Sequence, residues 1–181
     1  GAHDVTFENA QARERTQVLF NLANLHGGIV VGTGDMSELA LGWCTYNADH
    51  MASYNVNASV PKTMISYLVR WYARHRGSEA PARVLSRLLD TPISPELVPT
   101  DDDASGNISG IGQLTEEIIG PYELHDFFLY HMVRGGAGPA KILALADLAF
   151  AEKYDTPTIN RWLRVFIQRF FSQQFKRTVL P

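Results

Sequence analysis

The chain has 181 residues, 45% of them hydrophobic, and a formal net charge of −3. That suffices for one domain with a real core, or for part of a larger enzyme, and gives no basic surface to argue for nucleic acid as a partner. A single cysteine excludes an internal disulfide and points to a reducing, cytoplasmic compartment, while no apolar run approaches the roughly 18 residues a membrane span needs.

No signal-peptide pattern opens the chain, and Gly1 and Ala2 read as a cloning remnant. From Asn9 to about His26 the sequence reads as a helix, with Asn9 as its cap and Thr16, Leu19, Phe20 and Ala23 on one face. Gly27 and Gly28 end it. GIVV, Gly28 to Val31, is too short and too β-branched for a helix and reads as a buried strand. Asp35 to Gly42 is a second helix. Lys62 to Arg76 is strongly amphipathic, with Ile65, Leu68, Val69 and Tyr72 in phase and Pro61 suited to its start.

A short helix is expected at Pro81 to Leu89, after which TPISPELVP breaks regular structure. Thr100 to Gly112, acidic and rich in Gly and Ser, reads as a mobile loop. Helices are predicted again at Tyr122 to Val133, Pro139 to Ala151 and Thr158 to Phe171. The last carries Ile159, Trp162, Leu163, Phe166 and Phe170 in phase, a core-packing stripe. One strand cannot make a sheet, so either a weaker strand lies near Tyr54 to Ser59 or residues outside this chain complete it.

The stretch GTGDMSELALGWCTY, Gly32 to Tyr46, is the most informative. Asp35-Met36-Ser37-Glu38 has capping-box spacing, in which Glu38 would reach back to the Asp35 N–H. A strand ending in a Gly-rich turn that opens a helix also leaves N–H groups at the carboxyl edge of a sheet, where nucleotides bind. GTG is neither the GxGxxG fingerprint nor a Walker loop, so local sequence leaves Glu38 open between cap and site residue.

HDVTFENAQARERT, GIVVGTGDMSELALGWCTYNADHMASYNVNASVPKT, SPELVP, IIGPYELHDFFL and the terminal SQQFKR together resemble NAD synthetases, closest to the long, glutamine-dependent bacterial type. The resemblance implies an α/β fold of the adenine-nucleotide α-hydrolase-like, Rossmann-related kind, here as a helix-dominated partial domain spanning residues 1–181. It also implies a ligase that adenylates the carboxylate of deamido-NAD with ATP and magnesium before ammonia displaces AMP. A carboxylate anion is a poor electrophile, hence the acyl-adenylate. Lysine and Mg²⁺ charge offset the phosphate charge that would repel attack.

By the same resemblance, Thr33 and Lys62 match ATP contacts, Lys62 as the catalytic phosphate lysine. Glu38 matches an acid that contacts deamido-NAD in long enzymes and magnesium in short ones, so its role stays open. Trp43, Cys44, Thr45 and Tyr46 match the segment lining the deamido-NAD site, although Tyr46 replaces a lysine of the short enzymes. Asp49 matches the aspartate of a DGG turn whose glycines are His50 and Met51 here. Asn9 and Arg13 match deamido-NAD contacts on the first helix, Lys176 matches the lysine of the C-terminal motif, and Thr100 to Gly112 falls where the family has a closing loop. Family members are at least dimers, so a homo-oligomer is implied.

The family's SGGxDS pyrophosphate loop does not occur in the chain, nor does a glutaminase domain with its Glu-Lys-Cys triad. The resemblance is therefore to the C-terminal portion of the synthetase domain, and Cys44 reads as a small buried residue rather than a nucleophile. Two alternatives stand beside it: another adenylating ATP pyrophosphatase, and a non-catalytic helical oligomerisation module. His125 and His131, six apart, face differently on one helix, so no histidine zinc site is expected. Arg161, Arg164 and Arg169 read as a solvated face. The run Asp101 to Asp103 lacks EF-hand spacing.

Overall fold

The computed structural model describes residues 4–91 and 115–180. Helix α1 (Val5–His26) starts at Asp4, whose carboxylate accepts the N–H groups of Thr6 (3.0 Å) and Phe7 (3.1 Å). The cap is thus Asp4 and not Asn9, which lies in the second turn, because an N-cap acceptor must sit two or three residues before the orphan N–H groups it satisfies. Gly27 closes the helix at φ 62°, as its sequence predicts. The predicted stripe is only partly covered: Phe20 and Ala23 are half-buried, and Leu19 is exposed.

Strand β1 (Val31–Gly32) runs parallel to β2 (Tyr54–Asn55), with Val31 opposite Tyr54 and Gly32 opposite Asn55. The strand therefore begins at the end of GIVV rather than filling it, and it is not buried: Ile29 is 66% and Val31 56% exposed. Only Gly32 faces inward, where an added Cβ would lie 2.8 Å from the Ala52 Cβ. The second strand falls where the weaker one was expected.

Helix α2 (Met36–Leu41) occupies the crossover between the strands, with Asp35 as N-cap and Gly42 as C-cap, so the predicted bounds hold. Helices α3 (Lys62–His75) and α4 (Glu79–Asp90) pack on each other. Of the predicted α3 stripe, Ile65 and Val69 are half-buried while Leu68 and Tyr72 are exposed.

Past Thr115 the chain folds into α5 (Thr115–Ile119), α6 (Tyr122–Val133), α7 (Pro139–Ala149), α8 (Thr156–Ser172) and α9 (Gln174–Arg177). The core lies among α2, α6, α7 and α8, centred on Leu41, Leu124, Phe128, Ile142, Ile159 and Phe166. The α8 stripe is buried as its phase predicts, with Phe170 half-covered. The short α5 and α9 carry too few residues for a periodic signal. No helix among the described residues is long and apolar enough to cross a membrane. Gly1, Ala2, the proline-rich stretch after Thr91, the Thr100–Gly112 loop and the Asp101–Asp103 run lie outside the described residues.

Candidate functional site

The site forms where the N-termini of α2 and α3 meet. Both halves of the capping box are present: Asp35 Oδ1 accepts the Glu38 N–H at 2.9 Å, and Glu38 Oε2 accepts the Asp35 N–H at 3.2 Å. The same two carboxylates converge on one cation. Lys62 Nζ lies 2.7 Å from Asp35 Oδ2 and 2.8 Å from Glu38 Oε1, and 5.1 Å above the Tyr122 ring. Glu38 thus caps α2 and pairs with Lys62 at once.

Electrostatics follow from that packing. Burial, then the neighbouring Asp35 charge, holds the Glu38 carboxyl above the usual range against the pull of Lys62. Burial acts against the Lys62 charge, but Glu38 and Asp35 outweigh it and hold the ammonium above the ordinary lysine value. Two carboxylates around one ammonium leave a negative charge uncompensated, which suits a further cation.

Beneath this pair lies a second polar layer. Pro61, the N-cap of α3, offers no side-chain acceptor. The missing acceptors come from elsewhere: Ser37 Oγ accepts the Lys62 N–H at 2.9 Å, and Asp126 Oδ2, from α6, accepts the Thr63 N–H at 2.9 Å and the Thr63 hydroxyl at 2.7 Å. Ser37 donates its own hydroxyl to Asp126 Oδ1. Ser37, Asp126 and Tyr122 were not singled out by sequence, since each depends on a partner distant in the chain.

At the other end of α2, three cations hold its terminal carbonyls. Arg169 Nε donates to the Leu41 carbonyl at 2.9 Å, Lys176 Nζ to those of Gly42 (2.9 Å) and Cys44 (2.6 Å), and Arg177 Nη1 to those of Leu39 (3.2 Å) and Ala40 (3.1 Å). Cations at a helix C-terminus meet the negative end of its dipole. Arg169 is therefore not on a solvated face: it is half-buried and lies 5.1 Å from the Trp43 ring centre. Arg161 and Arg164 are exposed, as expected.

The segment Trp43 to Asp49 follows directly. The Thr45 N–H donates to Asp49 Oδ1 at 2.7 Å, closing a turn, and Asn47 sits in it at φ 58°. Tyr46 packs on Phe175 with ring centres 5.4 Å apart, and its carbonyl accepts from Arg13 Nε at 3.2 Å. Asn9 lies one turn before Arg13 on α1. Cys44 is half-buried, and burial followed by the Asp49 charge pushes its thiol up to about 12, which suits an inert residue. Thr33 is exposed at the end of β1. The structure thus gathers Glu38 and Lys62 at one end of α2 and Trp43, Cys44, Thr45, Tyr46, Asp49, Arg13 and Lys176 at the other.

Among the described residues no three His, Cys, Asp or Glu side chains group to hold a metal. Magnesium shared with nucleotide phosphates needs only one or two protein carboxylates, and the Asp35–Glu38 pair fits that demand.

A glutamine-dependent NAD(+) synthetase of Mycobacterium leprae is 45% identical over 199 residues, covering 99% of this chain and 28% of that protein. Its counterpart in Mycobacterium tuberculosis is 46% identical over 198 residues, with the same coverage. The chain thus spans 28% of the length of these curated relatives. The crystal structure of a glutamine-dependent NAD(+) synthetase from Cytophaga hutchinsonii superposes with a TM-score of 0.67 at 19% identity, over 98% of this chain and 25% of that one. An NMN synthetase from Francisella tularensis gives 0.58 at 20% identity, over 92% and 52%. The fold is accordingly the adenine-nucleotide α-hydrolase-like α/β fold, helix-rich in this portion. The family model described as NAD synthase matches residues 1–105, and the chain belongs to the NAD synthase family.

Proposed function

We infer that this chain carries the deamido-NAD-facing half of an ATP-dependent NAD synthetase, with Lys62 as its phosphate-binding lysine. The observation that carries the reading is the Lys62 ammonium held at a helix start between Asp35 and Glu38, just past the end of a parallel strand. Family membership supplies the reaction: the deamido-NAD carboxylate attacks the α-phosphorus of ATP and expels pyrophosphate, giving the acyl-adenylate, from which ammonia displaces AMP. In the intact protein a glutaminase domain is the proposed ammonia source, and the cytoplasm is the proposed compartment.

Each residue then has a stated task. Lys62 releases its carboxylates to meet the ATP phosphates, and Thr33, exposed beside the turn, contacts the nucleotide. Glu38 and Asp35 would hold Mg²⁺, which supplies charge neutralisation on the phosphates. Trp43, Thr45, Tyr46 and Asp49, with Cys44 lining the same stretch, shape the deamido-NAD side, and Asn9 and Arg13 bound it from α1. Lys176 fixes that segment through its carbonyls.

Glu38→Gln tests the reading in the intact protein. Glutamine can still accept the Asp35 N–H, so the helix should persist while turnover falls on the order of tenfold or more. Unchanged turnover would leave Glu38 a cap alone. Calorimetric titration of deamido-NAD, with Asn9→Ala and Lys176→Ala alongside, tests the substrate side: saturable binding weakened by both substitutions is expected, and binding indifferent to both overturns the assignment.

A second reading, helical self-association, is favoured by the exposed Tyr67, Leu68, Trp71 and Tyr72 on α3 and Val84 and Leu88 on α4. Light scattering with and without deamido-NAD separates the two, because a pure assembly module associates yet ignores the ligand.

A further inference from the structure

The geometry points to Asp126 as a positioning residue for Lys62, acting through the first turn of α3 by the Thr63 and Ser37 hydrogen bonds; this rests on Lys62 being the phosphate lysine proposed above.

An acid is out of place where Asp126 sits. It lies inside α6, 8% exposed, among the buried Leu124, Phe128 and Leu129. Aspartate is a poor helix former, and an unpaired buried carboxylate is costly. Asp126 accepts three hydrogen bonds, all from residues that touch the Lys62–Glu38 pair or adjoin it: the Thr63 N–H, the Thr63 hydroxyl and the Ser37 hydroxyl. Thr63 follows Lys62 in the chain, and Ser37 precedes Glu38. One carboxylate thus ties the N-termini of α2 and α3 together directly under the two side chains that meet above them.

The arrangement also replaces a cap in trans. In a self-capped helix the N-cap side chain accepts from the second or third residue. Pro61 cannot, so Asp126 takes the Thr63 N–H and Ser37 the Lys62 N–H. A capped first turn fixes the Lys62 Cα, and hence the sweep of its ammonium, relative to Glu38. An uncapped turn frays, and a lysine on a frayed turn spreads over many positions. A misplacement of about 1 Å can cost a large factor in rate.

The test is a double-mutant cycle in the intact protein, assayed with ATP, deamido-NAD and ammonia. Asp126→Asn should lower kcat/KM for ATP about tenfold while the KM for deamido-NAD stays within about twofold. Placed on Lys62→Ala, the same substitution should cost less than about twofold, since a positioned group that is absent cannot be misplaced. A full tenfold further loss would mean that Asp126 acts independently of Lys62 and would overturn the proposal. Thr63→Val, which removes one hydrogen bond and no charge, repeats the cycle should Asp126→Asn fail to fold.

A second readout needs no turnover. NMR cross-relaxation between the Lys62 side chain and the Tyr122 ring, 5.1 Å from the ammonium, should weaken in Thr63→Val as the first turn of α3 loosens. Unweakened contacts in a folded variant overturn the positioning role. Weakened contacts together with unaltered ATP kinetics in Lys62→Ala overturn the functional reading and leave the positioning role standing.

Discussion

Lys176 reaches back to the end of α2 and donates to the Cys44 carbonyl at 2.6 Å, with a second bond to Gly42 at 2.9 Å. The helix it serves is only six residues long, too short to persist by itself. Charge-assisted bonds to terminal carbonyls are therefore part of what keeps it formed. Lys176→Ala should destabilise the protein by about 1–2 kcal/mol and speed hydrogen exchange across residues 39–44. Denaturant unfolding and exchange mass spectrometry read both. Unaltered stability with weakened deamido-NAD binding would instead make Lys176 a pure ligand contact.

Gly42 is the αL residue that ends α2, at φ 57°, and an added Cβ would lie 2.3 Å from the Gln173 Cβ. The left-handed backbone and the close α8–α9 junction both exclude a side chain. Gly42→Ala should cost about 2–4 kcal/mol, more than the ordinary penalty at a C-cap, because the clash adds to the backbone strain. Thermal unfolding measures it. A loss below about 1 kcal/mol would show that the junction yields freely.

Capping geometry was the most legible part of the chain. Asp35-x-x-Glu38 announced the start of α2 and Gly42 its end, because both signals are local. Asn9 misled because Asp4, five residues earlier, offers an equally good cap and a longer helix. GIVV misled because β-branched composition reports strand preference and not coverage: Ile29 and Val31 lie in solvent in this portion of the sheet. Arg169 and Asp126 could not be placed from sequence. Each looks like an ordinary charge on its own helix, and its partners lie more than 60 residues away. The family resemblance found Lys62 and Glu38 without revealing that they pair.

Burial draws the His125 imidazole down to about 4, a pull that Arg169 adds to and the Ile119 carbonyl opposes. Nε2 lies 2.6 Å from that carbonyl, so this nitrogen carries the proton in the neutral ring. The folded value is below the unfolded one of about 6.5, so the unfolded chain binds more protons between them. The stabilisation is full above about pH 6.5 and is lost as pH falls through about 4. The melting temperature should fall over that window, and His125→Gln, which can still donate to Ile119, should flatten the fall. An equal acid slope in both proteins would place the sensitivity elsewhere.

Cys44 should be slow to alkylate. With its thiol held near 12, the thiolate fraction at pH 8 is on the order of a thousandfold below that of an ordinary cysteine. Iodoacetamide labelling followed by mass spectrometry should show little adduct in the folded protein and prompt reaction in denaturant. Prompt labelling of the folded form would mean that the α2–β2 turn opens readily.

The three cations that close α2 all come from residues 169–177. Translation delivers the strand, the turn and the capping box more than a hundred residues before it delivers these groups. A nascent chain that already holds Asp35, Glu38 and Lys62 therefore still lacks the clasp at the other end of α2. The far end of α2 is anchored only once residues 169–177 have been made, and a chain stopped short of them holds a capped helix start with no anchored end.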